Sequence, residues 1–450
     1  MGPGRWINLD YIIDIQCLPD ALPIKMSASD KMQREKPSRS DYLSAAEAAR
    51  LLKVKAQTLY TYVSRGLIRS VAQPDRKARL YYREDIEKVR ARSEARQGQG
   101  AMAESAMRWG QPVINTAITE ITPDGPRYRG YAAIDLARAG HTFESVAELL
   151  WTGVLHRDPI AWEQDGMPAG FDRVIDTLAQ QQPSLPILRI YALATTMLGV
   201  AESASEIRRG TTVPAARQII LTLTGCIGYL AKASHFAYPA PGAGVAASVA
   251  HSLLGRSDPK TVEALNTALV LCADHELSSS TFAARVAAST GAELRACVLA
   301  AIGAHSGALL GAGCDRAEDL LRGAHSNGEV HERVAAAERA GMRVPGFNLV
   351  VYPKGDPRAR HLLQLAHQLA PRSSQAQLIY DFIKDAEQRL HLRPSIEVGM
   401  VALCAALELP QRSAGALWAL GRTAGWIAHV MEQRLAGFVL RPRARYVSTI

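Results

Sequence analysis

Between Tyr42 and Arg92 the apolar positions fall into two short runs at helical spacing. Ala45, Ala48, Ala49 and Leu52 make one small-residue face, and Leu59 and Val63, four apart, make a second. Ser44 stands just ahead of the first run with Glu47 three residues on, the pattern of a reciprocal N-terminal cap. Lys53-Val54-Lys55 marks the turn, and the second helix runs from about Ala56 to Arg65, where Gly66 ends it. A basic hairpin, Arg76 to Tyr82, follows, and Asp85-Ile86 opens a further helix. Beyond residue 107 the pattern changes to long Ala- and Leu-rich helical faces cut by Gly and Pro turns, with no repeat period. Strand-like alternation is confined to short stretches such as residues 113–122 and 80–85. Residues 1–41 lack periodicity and are expected to be a flexible leader, with Met26 and Met32 as alternative starts. Residues 93–106, polar and small, read as a linker. The expected organisation is a leader (1–41), a small unit (42–92), a linker (93–106) and a large helical domain (107–450).

Composition narrows this only slightly. Of 450 residues, 48% are hydrophobic and 21% charged, ordinary values for a globular chain, and scarce aromatics (6%) lean toward tightly packed helices. No uninterrupted apolar run of about 18 residues suggests a membrane span, and no secretory leader pattern stands at the start. The six cysteines are scattered without a CxxC pair, so reduced, mostly buried thiols in a cytoplasm are expected and a metal site is not. Cys272 reads as a small buried hydrophobe.

Charge changes the picture more. Between Tyr42 and Arg96 there are 13 Lys/Arg against 6 Asp/Glu, so that segment carries +7 of the chain's +9. Such concentration is the electrostatic footprint of a nucleic-acid-binding module. The order helix, turn, second helix, Gly66-Leu67-Ile68, basic hairpin and Tyr82-Arg83-Glu84-Asp85 resembles the winged helix-turn-helix of the MerR and excisionase families. The resemblance implies that the second helix enters a major groove. Gln57, Thr58 and Thr61 would then meet base edges, and Lys55, Arg65, Arg76 and Arg79 would meet phosphate.

Four blocks carry a second resemblance. They are Arg127–Gly153 (RYRGYAAIDLARAGHTFESVAELLWTG), residues 269–313 (LVLCADHELSSSTFAARVAASTGAELRACVLAAIGAHSGALLGAG), residues 344–360 (VPGFNLVVYPKGDPRAR) and residues 421–447. In this order, over more than 300 residues, they resemble the citrate synthase family. The implied fold is all-α, a two-lobe helical domain with a small lobe at roughly 276–390, normally an intertwined homodimer. The implied ligand-binding residues are His275, Arg358, Arg422 and Arg441, the last crossing to the partner subunit's site. Their chemistry suits a citrate- or oxaloacetate-like ligand, because guanidinium forks and an imidazole match carboxylates. Arg358 follows Asp356-Pro357, a rigid turn that can aim it, and Arg422 follows Gly421 at what reads as the start of a helix.

The family's proton-handling positions differ here. Its two catalytic histidines align with Leu310 and Leu349, and its aspartate with Glu397. Leucine can neither donate nor accept a proton, and losing one acid or base costs about 10²–10⁴ in rate. Glu397 keeps the charge but shifts it by one methylene. Asn348 stands where the family has glycine, a side chain expected in the path of a thioester, and Ala312-Gly313-Cys314 departs from the family's GAN. His305, five residues before Leu310, would point about 140° away from it on a continuous helix, and is expected to be packed or solvent-facing, like His361, His367 and His429. These features predict a cytoplasmic DNA-binding regulator sensing citrate or a related polycarboxylate. Two alternatives stand beside it. One is a citrate or 2-methylcitrate synthase taking acyl-CoA as a substrate, with no other cofactor. The other is a pseudo-subunit of an active citrate synthase paralogue.

Overall fold

The computed structural model describes residues 42–87 and 114–442, apart from short stretches at 53, 55, 65–67, 69, 74–75, 84, 164–167, 169, 183–184, 199–205, 232–233, 308–311, 340–343 and 370–373. The proposed leader and linker lie outside the described residues. The chain divides into two compact units, residues 1–113 and 114–450.

In the first unit, Ala45–Leu52 and Ala56–Ser64 are helices. The Ser44 hydroxyl accepts from the Glu47 N–H at 3.3 Å, and the Glu47 carboxylate accepts from the Ser44 N–H at 2.9 Å and from its hydroxyl at 2.8 Å. This is the cap expected from the sequence, and these hydrogen bonds hold the Glu47 carboxyl below its usual range. The wing is a three-stranded antiparallel sheet in the order β1 (Tyr42–Ser44), β3 (Arg76–Tyr82), β2 (Ser70–Gln73). The hairpin expected within Arg76–Tyr82 is instead the single strand β3, which pairs back on β2, and β1 was not expected because three residues have no readable alternation. Ala48, Leu52, Leu59, Ile68, Tyr81 and Ile86 close a small core.

The second unit is mostly helical. Its one sheet among the described residues is a meander of β4 (Thr119–Thr122), β5 (Gly125–Tyr128) and β6 (Tyr131–Ala132). One extended core runs through it. At its centre lies a 24-residue helix, Ser413–Ala436, buried almost throughout its first 18 residues. Around it pack Phe143–Thr152, Pro259–Cys272, Ser279–Ser289, Leu294–His305 and Ile396–Ala406. By length and composition alone, the segment Thr212–Leu230 is apolar enough to cross a membrane, but 72% of its window is buried inside this core. Cys226, Cys272, Cys297, Cys314 and Cys404 are free thiols buried in the unit.

Candidate functional site

The site is built around the short link that follows Pro259–Cys272 and precedes Ser279–Ser289. The Tyr128 hydroxyl lies 3.1–3.3 Å from the carbonyl oxygens of Val270, Leu271 and Asp274, closing the end of the first helix. The long helix comes against this link through two glycines four residues apart. A Cβ at Gly425 would stand 2.1 Å from Asp274 Oδ1, and one at Gly421 would stand 2.8 Å from Cys272 Cβ. Glycine is used here for close approach, and Arg422 accordingly sits in the middle of the long helix rather than at the helix start that its sequence context suggested.

That approach delivers Arg422 to a buried carboxylate. Its Nη1 donates to Asp274 Oδ1 at 2.9 Å, and its Nη2 to Ser278 Oγ at 3.1 Å and Thr281 Oγ1 at 2.7 Å. Asp274 Oδ2 also meets His429 Nε2 at 3.2 Å, and His429 Nδ1 meets Arg285 Nη1 at 3.3 Å. A guanidinium has only donors, so Nδ1 of His429 accepts and Nε2 donates. Burial by itself would raise the Asp274 carboxyl, but His429 and Arg422 hold it well below the usual carboxylate range. His429 is fully buried in this network, not merely packed.

Arg358 is placed the same way from another direction. Asp356 precedes the helix Pro357–Leu369, and its carboxylate accepts from the Arg358 backbone N–H (3.0 Å), Nε (3.0 Å) and Nη2 (2.7 Å). Both groups are buried, and a buried guanidinium without such a partner would be strongly destabilising. Arg358 Nη1 is left without a protein partner.

The two arginines border a cavity of about 70 Å³, several times the ~10–15 Å³ that admits one water. Leu349, Ile396 and Trp418 give it an apolar wall, and His275, His305 and Glu397 also line it. His275 Nε2 has no partner, and burial, with Arg358 and Arg422 adding to it, pushes the ring well below its ordinary range, so the imidazole is neutral. Glu397 begins the helix Ile396–Ala406, and burial raises its carboxyl although the Ser395 hydroxyl donates to it at 2.5 Å. Its Cγ and Oε1 both lie 3.3 Å from where a Cβ on Gly313 would be. The longer carboxylate side chain thus occupies room that a glycine leaves free. This gives a physical reason for one departure at 312–314.

Two further expectations bear on this cavity. Asn348 is exposed and does not line it. Its backbone is left-handed (φ +57°), a conformation that Asn tolerates, and its Oδ1 accepts from the Arg393 N–H at 2.9 Å. His305 is packed, one of its two expected placements, and it also lines the cavity. The helix Leu294–His305 ends at that residue, so the 140° projection to position 310 does not apply. Its ring lies between Trp418 and Trp426, at 4.9 and 5.3 Å between centroids, and its Nε2 is buried without a partner. Burial, with Arg422 adding to it, pushes its pKa down to about 3.

Other predicted positions fall elsewhere. Leu310 lies outside the described residues. Arg441 is exposed beyond the end of the long helix and does not line the cavity. In the small unit Gln57 and Thr61 are exposed and Thr58 is half-buried, with the Thr61 hydroxyl donating to the Gln57 carbonyl at 3.0 Å. Arg79 is exposed and donates from Nε to Ser70 Oγ at 3.1 Å. Arg76 lies on β3, while Lys55 and Arg65 lie outside the described residues. Asp274 and Tyr128 were not singled out from the sequence, and His429 was expected only to be packed or solvent-facing. The one available signal was the four-residue spacing of Gly421 and Gly425.

Residues 106–443 match the family model described as citrate synthase, C-terminal domain, and residues 42–93 match one described as a helix-turn-helix domain. The chain belongs to the citrate synthase family. A putative citrate synthase 2 of Mycobacterium tuberculosis is 35% identical over 198 residues, 43% of this chain and 53% of that protein, so the match spans about half that relative's length. The citrate synthase of Haloferax volcanii is 30% identical over 339 residues, 71% of this chain and 88% of that protein. Among solved structures, the Thermoplasma acidophilum citrate synthase in ternary complex with carboxymethyl coenzyme A and oxaloacetate superposes with a TM-score of 0.66. It is 24% identical, covering 75% of this chain and 94% of that one, a likeness that establishes the citrate synthase fold. Leu349 and Glu397 both border the cavity that Arg358 and Arg422 frame.

Proposed function

We propose that this citrate synthase family member is a DNA-binding regulator whose large unit holds citrate or a related polycarboxylate. The observation that carries the reading is the cavity itself. Donors without protein partners, Arg358 Nη1 and His275 Nε2, line the same space as an apolar Leu349 where the family has a histidine. A bound carboxylate satisfies these donors, each charge-assisted contact contributing roughly 1.5–3 kcal/mol, and no proton transfer follows. The protein acts in the cytoplasm as a homodimer, with Arg441 reaching the partner's cavity and the helix-turn-helix unit contacting DNA. A continuous polar path extends from the cavity through the large unit. It runs from Arg422 through Asp274 and His429 to Arg285, whose Nη1 pairs with Glu432 at 2.7 Å, and Glu432 accepts from the backbone N–H of Ala117 at 2.7 Å, near the start of the large unit.

Titration calorimetry with citrate, oxaloacetate and 2-methylcitrate tests the sensing half, and heat with none of them at millimolar ligand rejects it. Fluorescence anisotropy with duplex DNA tests the other half. Arg79→Ala lowers affinity for all sequences and the salt slope by about 1, whereas Gln57→Ala changes sequence preference.

Glu397 supports a second reading, a slow citrate or 2-methylcitrate synthase, because its raised carboxyl still borders the cavity with Gly313 making room for it. Thiol release from acetyl- or propionyl-CoA with oxaloacetate, abolished in Glu397→Ala, would establish that reading.

A further inference from the structure

We propose that His305 is a ligand-contacting residue whose Nε2–H donates to an oxygen of the carboxylate held in the cavity, a contact that leucine at 310 cannot make. The inference rests on the carboxylate-binding half of the proposed function and assigns it a residue outside the family-derived set.

Three observations carry it. First, His305 is 1% exposed and its Nε2 has no hydrogen-bond partner, although buried ring nitrogens are ordinarily matched. A ring serving only to fill the space between Trp418 and Trp426 would be replaced without loss by an apolar side chain. Second, His305 lines the same cavity as His275 and Arg358, the other two residues there with unpartnered buried nitrogens. The three come from separate places in the chain: the end of Leu294–His305, the link after Pro259–Cys272, and the start of Pro357–Leu369. Their convergence fits a small ligand rich in oxygen acceptors. Third, the ring is held in place. Trp418 and Trp426 meet it edge-on at 72° and 65°, and Trp426 is itself fixed by a 3.1 Å hydrogen bond to Ser280 Oγ. A histidine so confined presents one nitrogen in one direction, which is what recognition of a single oxygen needs.

The low pKa of the ring agrees with this role. Neutral imidazole keeps one N–H to give and adds no second cation beside Arg422. The charge-assisted contact for the ligand then comes from the free Nη1 of Arg358, while His275 and His305 supply neutral contacts that discriminate among ligand oxygens. The cavity is thereby refurnished rather than stripped, with an imidazole at 305 and a lengthened carboxylate opposite Gly313.

The test compares the native chain with His305→Leu and His305→Gln by calorimetry against citrate and oxaloacetate, with melting temperature as the check of folding. His305→Leu is expected to weaken binding about tenfold or more, and His305→Gln, which restores an N–H, to stay within about threefold of native. Binding by His305→Leu within about twofold of native overturns the role of His305 alone. No binding by the native chain overturns the sensing reading and this assignment together. A measurement independent of the variants is the ¹⁵N spectrum of the histidine-labelled native chain. The His305 Nε2 resonance shifts when citrate is added, and a resonance that stays fixed while citrate binds overturns the assignment.

Discussion

The two units hold their functional residues in opposite ways. In the helix-turn-helix unit the decisive contacts are local. Ser44 and Glu47 are three residues apart and cap each other across one turn, and the exposed candidates Gln57 and Thr61 lie one turn apart on the next helix. In the citrate synthase-like unit the decisive contacts join distant segments, Arg422 to Asp274 across 148 residues and Arg285 to Glu432 across 147. The local unit can be altered one residue at a time with small consequences. In the large unit a single carboxylate serves several groups at once, so its loss leaves buried charge without compensation.

The sharpest way to break this contrast is Asp274→Ala. Arg422 and His429 lose their shared partner inside the core, and stability should fall by about 3–5 kcal/mol in urea unfolding. A loss near that of a surface residue would show the network to be dispensable. Gly425→Ala comes next. Its methyl would stand 2.1 Å from Asp274 Oδ1 and 2.6 Å from the Ala273 carbonyl oxygen, and the displaced link should cost about 1–3 kcal/mol and weaken citrate binding together.

His305 then gives a pH-dependent effect. In the fold its pKa lies near 3, against an unfolded value near 6.5. As pH falls below 6.5 the unfolded chain takes up a proton that the fold refuses, so stability declines until about pH 3, at up to about 1.4 kcal/mol per pH unit. His305→Leu should flatten that slope in denaturant melts between pH 6.5 and 4 while leaving stability at pH 8 nearly unchanged. The smallest effect belongs to the local unit. Ser44→Ala removes the cap and should cost about 1 kcal/mol, seen as earlier melting of the small unit by circular dichroism. An effect as large as that of Asp274→Ala would erase the distinction between the units.

Legibility follows the same division. The capping box and the second helix could be read directly because their signals span a few residues, whereas Arg76–Tyr82, expected to be a hairpin by itself, is a single strand paired with Ser70–Gln73. The strand Tyr42–Ser44 could not be read either, since it is defined only by pairing with Arg76–Tyr82. In the large unit the family blocks pointed to His275, Arg358, Leu349 and Glu397, and all four border the cavity. His305 is packed as one expectation had it, but its place on the cavity wall was missed because its direction was projected along a helix that ends at that residue. The direction of Asn348 was not legible because it depends on backbone conformation, and its left-handed φ accompanies a hydrogen bond from the Arg393 N–H. Gly421 was taken for a sign of a helix start when it serves close packing against Cys272.

The amino-acid sequence alone determined the helical character, the two-part organisation, the concentration of positive charge in the small unit and the absence of imidazoles at 310 and 349. These depend on residue type and spacing, which the chain carries openly. Tertiary structure alone decided that Asp356 and Asp274 pair with Arg358 and Arg422, that His429 and Arg285 extend that network toward Ala117, and that His305, with an unmatched buried nitrogen, lines the cavity. Those outcomes depend on burial and on which distant groups meet there. Burial determines whether a charge needs a partner, and the meeting of segments more than a hundred residues apart determines whether it finds one.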